Sequence, residues 1–238
     1  MRIEIFVFIS ERSLLRIGAG GSTRTPDSRK LNAALFGLEE LELGVLRLQA
    51  GVRFDWDRIE PLQPDPDSAI GNVRTRTFGS LSGSLGALVA PTPNISLGAS
   101  LARAYRTPDT NELFSEGPHL AAYSYEVGNP DLDAESGLGV DVFVRLAGAR
   151  YQAEIAGFRN ALTNYIYYRD TGEQTSRGLP IYQATGTDAV LQGAEATVTV
   201  EALRNVVVNS VVSWVRGSFA DSDRPLPMMP PLRGQLSL

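Results

Sequence analysis

The chain has 238 residues, one histidine and no cysteine, with 22 basic against 27 acidic side chains and 43% hydrophobic content. The lack of cysteine excludes disulfide frameworks, thiolate nucleophiles and cysteine-ligated metals, and a slight acidic excess without a Lys/Arg run gives no electrostatic reason to bind nucleic acid. No stretch approaches the roughly 20 apolar residues of a membrane helix, the Ile5-to-Ile9 run being far too short.

The amino terminus, MRIEIFVFISER, holds Glu4 inside its apolar part and lacks a small-residue cleavage site, so it does not read as an export signal; an exported protein would begin elsewhere. Residues 1–30 are therefore set apart as an uncertain N-terminal segment. Further along, Leu46, Leu48, Ala50, Val52 and Phe54 alternate with Arg47, Gln49, Gly51, Arg53 and Asp55, the period of a strand with one apolar and one polar face. Phe78 to Val89 alternates more loosely and leads through Pro91-Thr92-Pro93-Asn94 into Ile95, Leu97, Ala99 and Leu101, a short hairpin. Val140, Val142, Val144 and Leu146 repeat the pattern and meet the Tyr151 to Asn160 strand through Ala147-Gly148-Ala149-Arg150. Ala202 to Asn205 is a third short connection, joining the alternating Glu195-Thr197-Thr199-Glu201 segment to the Val206 to Trp214 run, and Leu232 to Leu238 begins another strand.

The intervening connections are long: Trp56 to Arg76, Arg106 to Ser136, about Arg169 to Pro180, and Gly217 to Pro230. Long and short connections alternate, as in outer-membrane barrels with short periplasmic turns and long external loops, whereas a soluble sandwich has no reason to segregate them. Strands of about ten residues suit a tilted crossing of a bilayer. Arg, Glu, Asp, Gln and Ser on the second face suit a wet or filled lumen better than a dry core. The expected fold is an all-β, antiparallel transmembrane β-barrel, partial, with roughly nine or ten strands of a larger barrel. A soluble antiparallel β protein whose polar faces see solvent is the plainer reading of the alternation.

One loop carries a distinctive wording. Arg106-x-Pro108-x-x-x-Glu112-Leu113-Phe114 is followed by Gly117-Pro118-His119, then Glu126-x-Gly128-Asn129-Pro130-x-Leu132 and Glu135-Ser136. With Phe158 to Tyr167 (FRNALTNYIY) and Leu179 to Glu195 (LPIYQATGTDAVLQGAE), the order and spacing resemble the barrel of TonB-dependent outer-membrane receptors over roughly Leu38 to Leu238. The similarity is closest to the zinc-type branch. The resemblance implies a barrel of about 22 strands preceded by a plug that contacts TonB. Against that pattern the chain shows no plug, no early strands and no terminal strand with an aromatic last residue. Its implied organisation is a partial receptor barrel over 31–238 with the plug domain absent.

The resemblance implies a transporter, not an enzyme, in the bacterial outer membrane, with lipid, the TonB complex and a small-molecule or metal ligand as partners and no cofactor of its own. The ligand is a scarce one: a metal ion, ferric siderophore, haem or cobalamin. The alternatives are a self-contained passive barrel, pore or adhesin, and a soluble β binding module. A hydrolase would need a Ser-His-acid set built on His119, and no Gly-x-Ser-x-Gly elbow occurs.

Ligand contact is placed in the Arg106 to Ser136 loop, at His119, Glu116, Tyr123 and Glu126. His119 is the candidate metal ligand, although a zinc site wants three or four protein ligands and only one here can be histidine; a structural turn at Gly117-Pro118-His119 is the competing reading. Arg106, Pro108, Glu112, Asn129 and Pro130 are assigned to the loop's own structure, with Arg106 and Glu112 paired across a short helical turn begun by Thr107-Pro108-Asp109. Trp56, Tyr165, Tyr167, Tyr168 and Trp214 fall at strand ends, where an aromatic girdle would meet the membrane interface.

Overall fold

The computed structural model describes residues 2–14, as backbone apart from Val7, and residues 25–238. The uncertain N-terminal segment, residues 1–30, includes Met1 and 15–24, which lie outside the described residues. The elements are β1 Arg2–Leu14, β2 Ser28–Leu43, β3 Leu46–Pro61, β4 Arg76–Thr92, β5 Ile95–Arg106, α1 Thr110–Phe114, β6 Glu116–His119, β7 Ser124–Val127, β8 Glu135–Ala147, β9 Tyr151–Gln174, β10 Pro180–Leu203, β11 Val206–Phe219 and β12 Arg233–Ser237. The sheet is an antiparallel meander in the order β1-β2-β3-β4-β5-β8-β9-β10-β11-β12. It is not closed: β1 and β12 stand at its two ends, the form of a partial barrel.

Short turns gather at one end. Leu43 pairs with Leu46 across Gly44-Val45, and Gly44 takes φ +62, the left-handed geometry that a two-residue hairpin demands and glycine supplies without strain. Thr92 pairs with Ile95 across Pro93-Asn94, Ala147 with Gln152, and Leu203 with Val206.

The opposite end differs from expectation in detail. β3 runs on to Pro61, and β9 and β10 are 24 residues each. The expected long connection near Arg169 to Pro180 is therefore mostly strand, and only 175–179 join the two. Aromatic and β-branched residues from Tyr165 to Tyr168 and from Ile181 to Thr187 favour the ladder. The strands thus exceed the expected ten residues because they continue past any bilayer crossing.

Residues opposite one another share a face. One face carries Phe54 with Leu81, Leu101 with Val140, and Val144 with Ile155. These side chains are exposed, Leu85 to 61% and Ile155 to 62%, in a sheet-wide apolar surface far beyond what water tolerates and suited to acyl chains. The other face is an ion-pair lattice. Arg47 donates to Glu42, Gln49 to Glu40 at 2.7 Å, Arg53 to Asp55 at 2.7 Å and Arg145 to Glu154 at 2.7 Å.

Among the described residues, the packed apolar core lies at the long-connection end. Ile59 and Phe78 from β3 and β4, Ile166 and Ala184 from β9 and β10, and Val73, Leu113, Phe114 and Leu132 from the loops are buried together.

Candidate functional site

The 107–134 segment between β5 and β8 builds the site. Its helix begins at Asp109, whose carboxylate accepts from the Asn111 and Glu112 amides at 2.7 and 2.9 Å, while Glu112 accepts from the Asp109 amide at 2.8 Å. This reciprocal capping box satisfies backbone donors that a five-residue helix would otherwise leave open. Arg106 then forks, with Nη1 on Glu112 at 2.8 Å and Nη2 on Glu135 at 3.1 Å, tying the end of β5 to α1 and to the start of β8. Glu135 also accepts from the Ile166 amide at 3.0 Å. Pro108 and Pro130 are fully buried.

The far end of α1 is closed by the Gly-Asn-Pro stretch. Gly128 donates to the Ser115 carbonyl at 2.6 Å and Asn129 to the Glu112 carbonyl at 2.8 Å. A Cβ on Gly128 would stand 2.8 Å from backbone atoms of Leu113, Phe114 and Ser115, so only glycine allows the approach. Asn129 Oδ1 accepts from the Asp131 amide at 2.9 Å, and the Leu132 amide reaches the Asn129 carbonyl, an Asx-type turn at the expected place.

Gly117-Pro118-His119 is not a turn. It is most of β6, paired with β7 so that Glu116 faces Val127, Gly117 faces Glu126, and His119 faces Ser124. The reversal comes after it, at Leu120–Ala122, where Tyr123 takes φ +50. Proline is tolerated in β6 because a short strand asks little of its missing amide. Alternation along the hairpin places His119 and Glu126 on one face and Glu116 on the other. His119 Nδ1 and Glu126 Oε1 are 2.7 Å apart, and Tyr123 is 68% exposed at the tip. Ser124, across from His119, is buried with its hydroxyl unpartnered among the described residues. Among the described residues no three His, Cys, Asp or Glu side chains stand together as a metal cage.

Residues distant in sequence hold this segment down. Arg76 donates to the Pro130 and Leu132 carbonyls, the latter at 2.9 Å, and Arg74 to Asp131 at 2.7 Å. Thr107 donates to Asp57 at 2.7 Å, and Asn164 donates to the Asp133 carbonyl at 2.6 Å. Asn164 sits at φ +57 beside a register shift in the β9–β10 ladder, a conformation asparagine adopts more readily than most. Sequence reasoning found none of these anchors. Tyr168 stands on β9 well past the about ten residues that a crossing needs and packs against the core. Burial pushes its phenol up to about 12, against a weak opposing contact with the Ser115 hydroxyl at 3.5 Å.

An open meander with one lipid-ready face, one ion-paired face and a loop body folded over the long-connection end defines a piece of an outer-membrane receptor barrel. The family described as TonB dependent receptor-like, beta-barrel matches residues 11–238, and the chain belongs to it. Members are bacterial outer-membrane transporters, not enzymes. Among solved structures, the copper transporter OprC is similar at 24% identity and a TM-score of 0.76, over 88% of this chain and 32% of that one. The hemophore receptor HasR of Serratia marcescens, solved with HasA and heme, aligns at 18% identity and 0.64, over 80% and 34%. The FrpB iron transporter of Neisseria meningitidis aligns at 14% and 0.58, over 81% and 26%. The chain thus spans about a third or less of the length of these structures, and the likeness is one of fold.

Proposed function

We propose that residues 31–238 are the barrel portion of a receptor for TonB-energised uptake of a scarce ligand: a metal ion, ferric siderophore, haem or cobalamin. The observation that carries this reading is the 107–134 body, a packed and capped loop fold held over the polar face at the long-connection end. A passive pore has no need of such a structure. Ligand contact belongs to the exposed side of the β6–β7 hairpin, where His119 is held by Glu126 and Tyr123 stands at the tip. Glu116, on the other hairpin face, contributes from the rim. Similarity in fold to copper and iron transporters and to a heme-bound receptor complex supports a metal-bearing ligand. Coupling through a plug that meets TonB completes the reading.

The test is uptake in cells carrying His119→Ala/Glu126→Gln, using labelled copper, ferric siderophore, haem and cobalamin with and without a protonophore. Accumulation of one ligand is expected to require the proton gradient and to fall about tenfold in the variant. Accumulation indifferent to the protonophore would instead favour a passive barrel. Equal uptake by the variant would remove the hairpin from ligand capture.

A further inference from the structure

Across β5 and β8 to β11 the lipid-facing surface is without charge from the short-turn end up to one row. The register sets Val140 beside Arg159, Arg159 beside Gln192, and Gln192 beside Arg216. The row beneath is Val142, Gly157, Ala194 and Trp214, and the next is Val144, Ile155, Ala196 and Val212. Two exposed arginines therefore cap an apolar band that faces acyl chains, on the side of the long connections. Trp214, 43% exposed, sits one step below Arg216 on the same face, as an interfacial tryptophan does.

We propose that Arg159, Gln192 and Arg216 form a site for the phosphate of an anionic lipid headgroup. Arg159 and Arg216 stand two strand spacings apart, about 10 Å, a gap that two long guanidinium side chains can close around one phosphate. Arg159 Nη1 donates to Gln192 Oε1 at 2.9 Å, which leans its planar fork along the row and leaves further N–H donors for an oxyanion. Arg216 Nη2 meets Asp223 at 3.0 Å. That carboxylate is 77% exposed, and so open a pair contributes little and yields to a phosphate. A lipid phosphate fits better than a free one because the apolar rows directly below seat its acyl chains, adding burial to charge.

The protein is extracted from outer membranes in mild detergent and given phosphatidic acid or phosphatidylcholine of the same acyl chains, with bound lipid counted by native mass spectrometry. Phosphatidic acid is expected to outnumber phosphatidylcholine, and Arg159→Gln/Arg216→Gln to cut that excess about tenfold. Arg159→Lys/Arg216→Lys should keep part of it, and Arg47→Gln, on the polar face near the short turns, all of it. Should the double glutamine variant lose its heat-modifiable gel mobility, the single Arg159→Gln change is read in its place. Equal binding of the two lipids, or an undiminished excess in the glutamine variant, overturns the proposal. Displacement of phosphatidic acid by inorganic phosphate at matching concentration would show an anion site without lipid selectivity and overturns it as well.

Discussion

Gly128 approaches Ser115 so closely that its amide donates to the Ser115 carbonyl at 2.6 Å, and the space its missing side chain leaves is filled by the backbone of α1. Gly128→Ala is expected to cost about 1–3 kcal/mol, because the obstacle is backbone and cannot rotate aside. Limited proteolysis should show cleavage within 107–134 at lower protease concentration than in the unaltered protein, while the sheet keeps its circular dichroism. Unchanged cleavage would mean that the helix moves away freely.

Phe114 and Leu113 are buried to 1% and 0% exposure against residues of four strands. Phe114→Ala should cost about 3–5 kcal/mol, felt by the loop body before the strands. Hydrogen exchange is expected to rise across 107–134 and to leave the β8–β9 ladder protected; a uniform rise over both would show that the loop and sheet open as one unit.

Arg106 serves two carboxylates, Glu112 and Glu135, both largely shielded while the guanidinium itself is about half exposed. Solvent screening keeps the effect modest, so Arg106→Ala is expected to cost about 1–2 kcal/mol. Arg106→Lys should recover little of it, since one ammonium cannot reproduce the fork. A double-mutant cycle with Glu135→Gln measures the coupling, and additive effects would deny the bridge.

The Tyr168 phenol is raised to about 12 by burial, so its neutral form is the one the packed loop favours. The sign follows directly: the contribution is intact below the ordinary tyrosine range near 10 and is lost as pH rises toward 12. Loop docking, followed by protease sensitivity, should weaken over that interval, and Tyr168→Phe should remove the alkaline step. A step that persists in the phenylalanine variant would assign it to another group.

Alternation revealed strands such as β3, β5 and β8, their apolar face, and the short turns at Pro93-Asn94, Ala147 to Arg150 and Ala202 to Asn205, because period 2 and short turns are local properties of residues such as Leu46 to Asp55. The Arg106–Glu112 contact and the turn at Asn129 were legible for the same reason, their partners lying within a few residues. What escaped was set by tertiary pairing. Arg76 on the Pro130 carbonyl, Thr107 on Asp57 and Asn164 on the Asp133 carbonyl join residues 54, 50 and 31 positions apart. Nothing local marks them. Gly117-Pro118-His119 looked like a turn from composition, and pairing with β7 made it a strand. The continuation of β9 and β10 beyond the expected loop was missed because polar residues such as Asp170 and Glu173 dilute the apolar period there.

The anchors of the 107–134 body come from β3, the β3–β4 connection, β4, β9 and β10, the last through parallel pairing with β7, so its resting place exists only after those strands have found their register. Hairpins closed by short turns form early because their loops are cheap to close, whereas long-range contacts wait for that closure entropy to be met. The body should therefore be the last part to become protected during refolding, and its protection a timer for completion of the sheet. A chain arrested halfway would present finished hairpins beneath a loop with nowhere to rest.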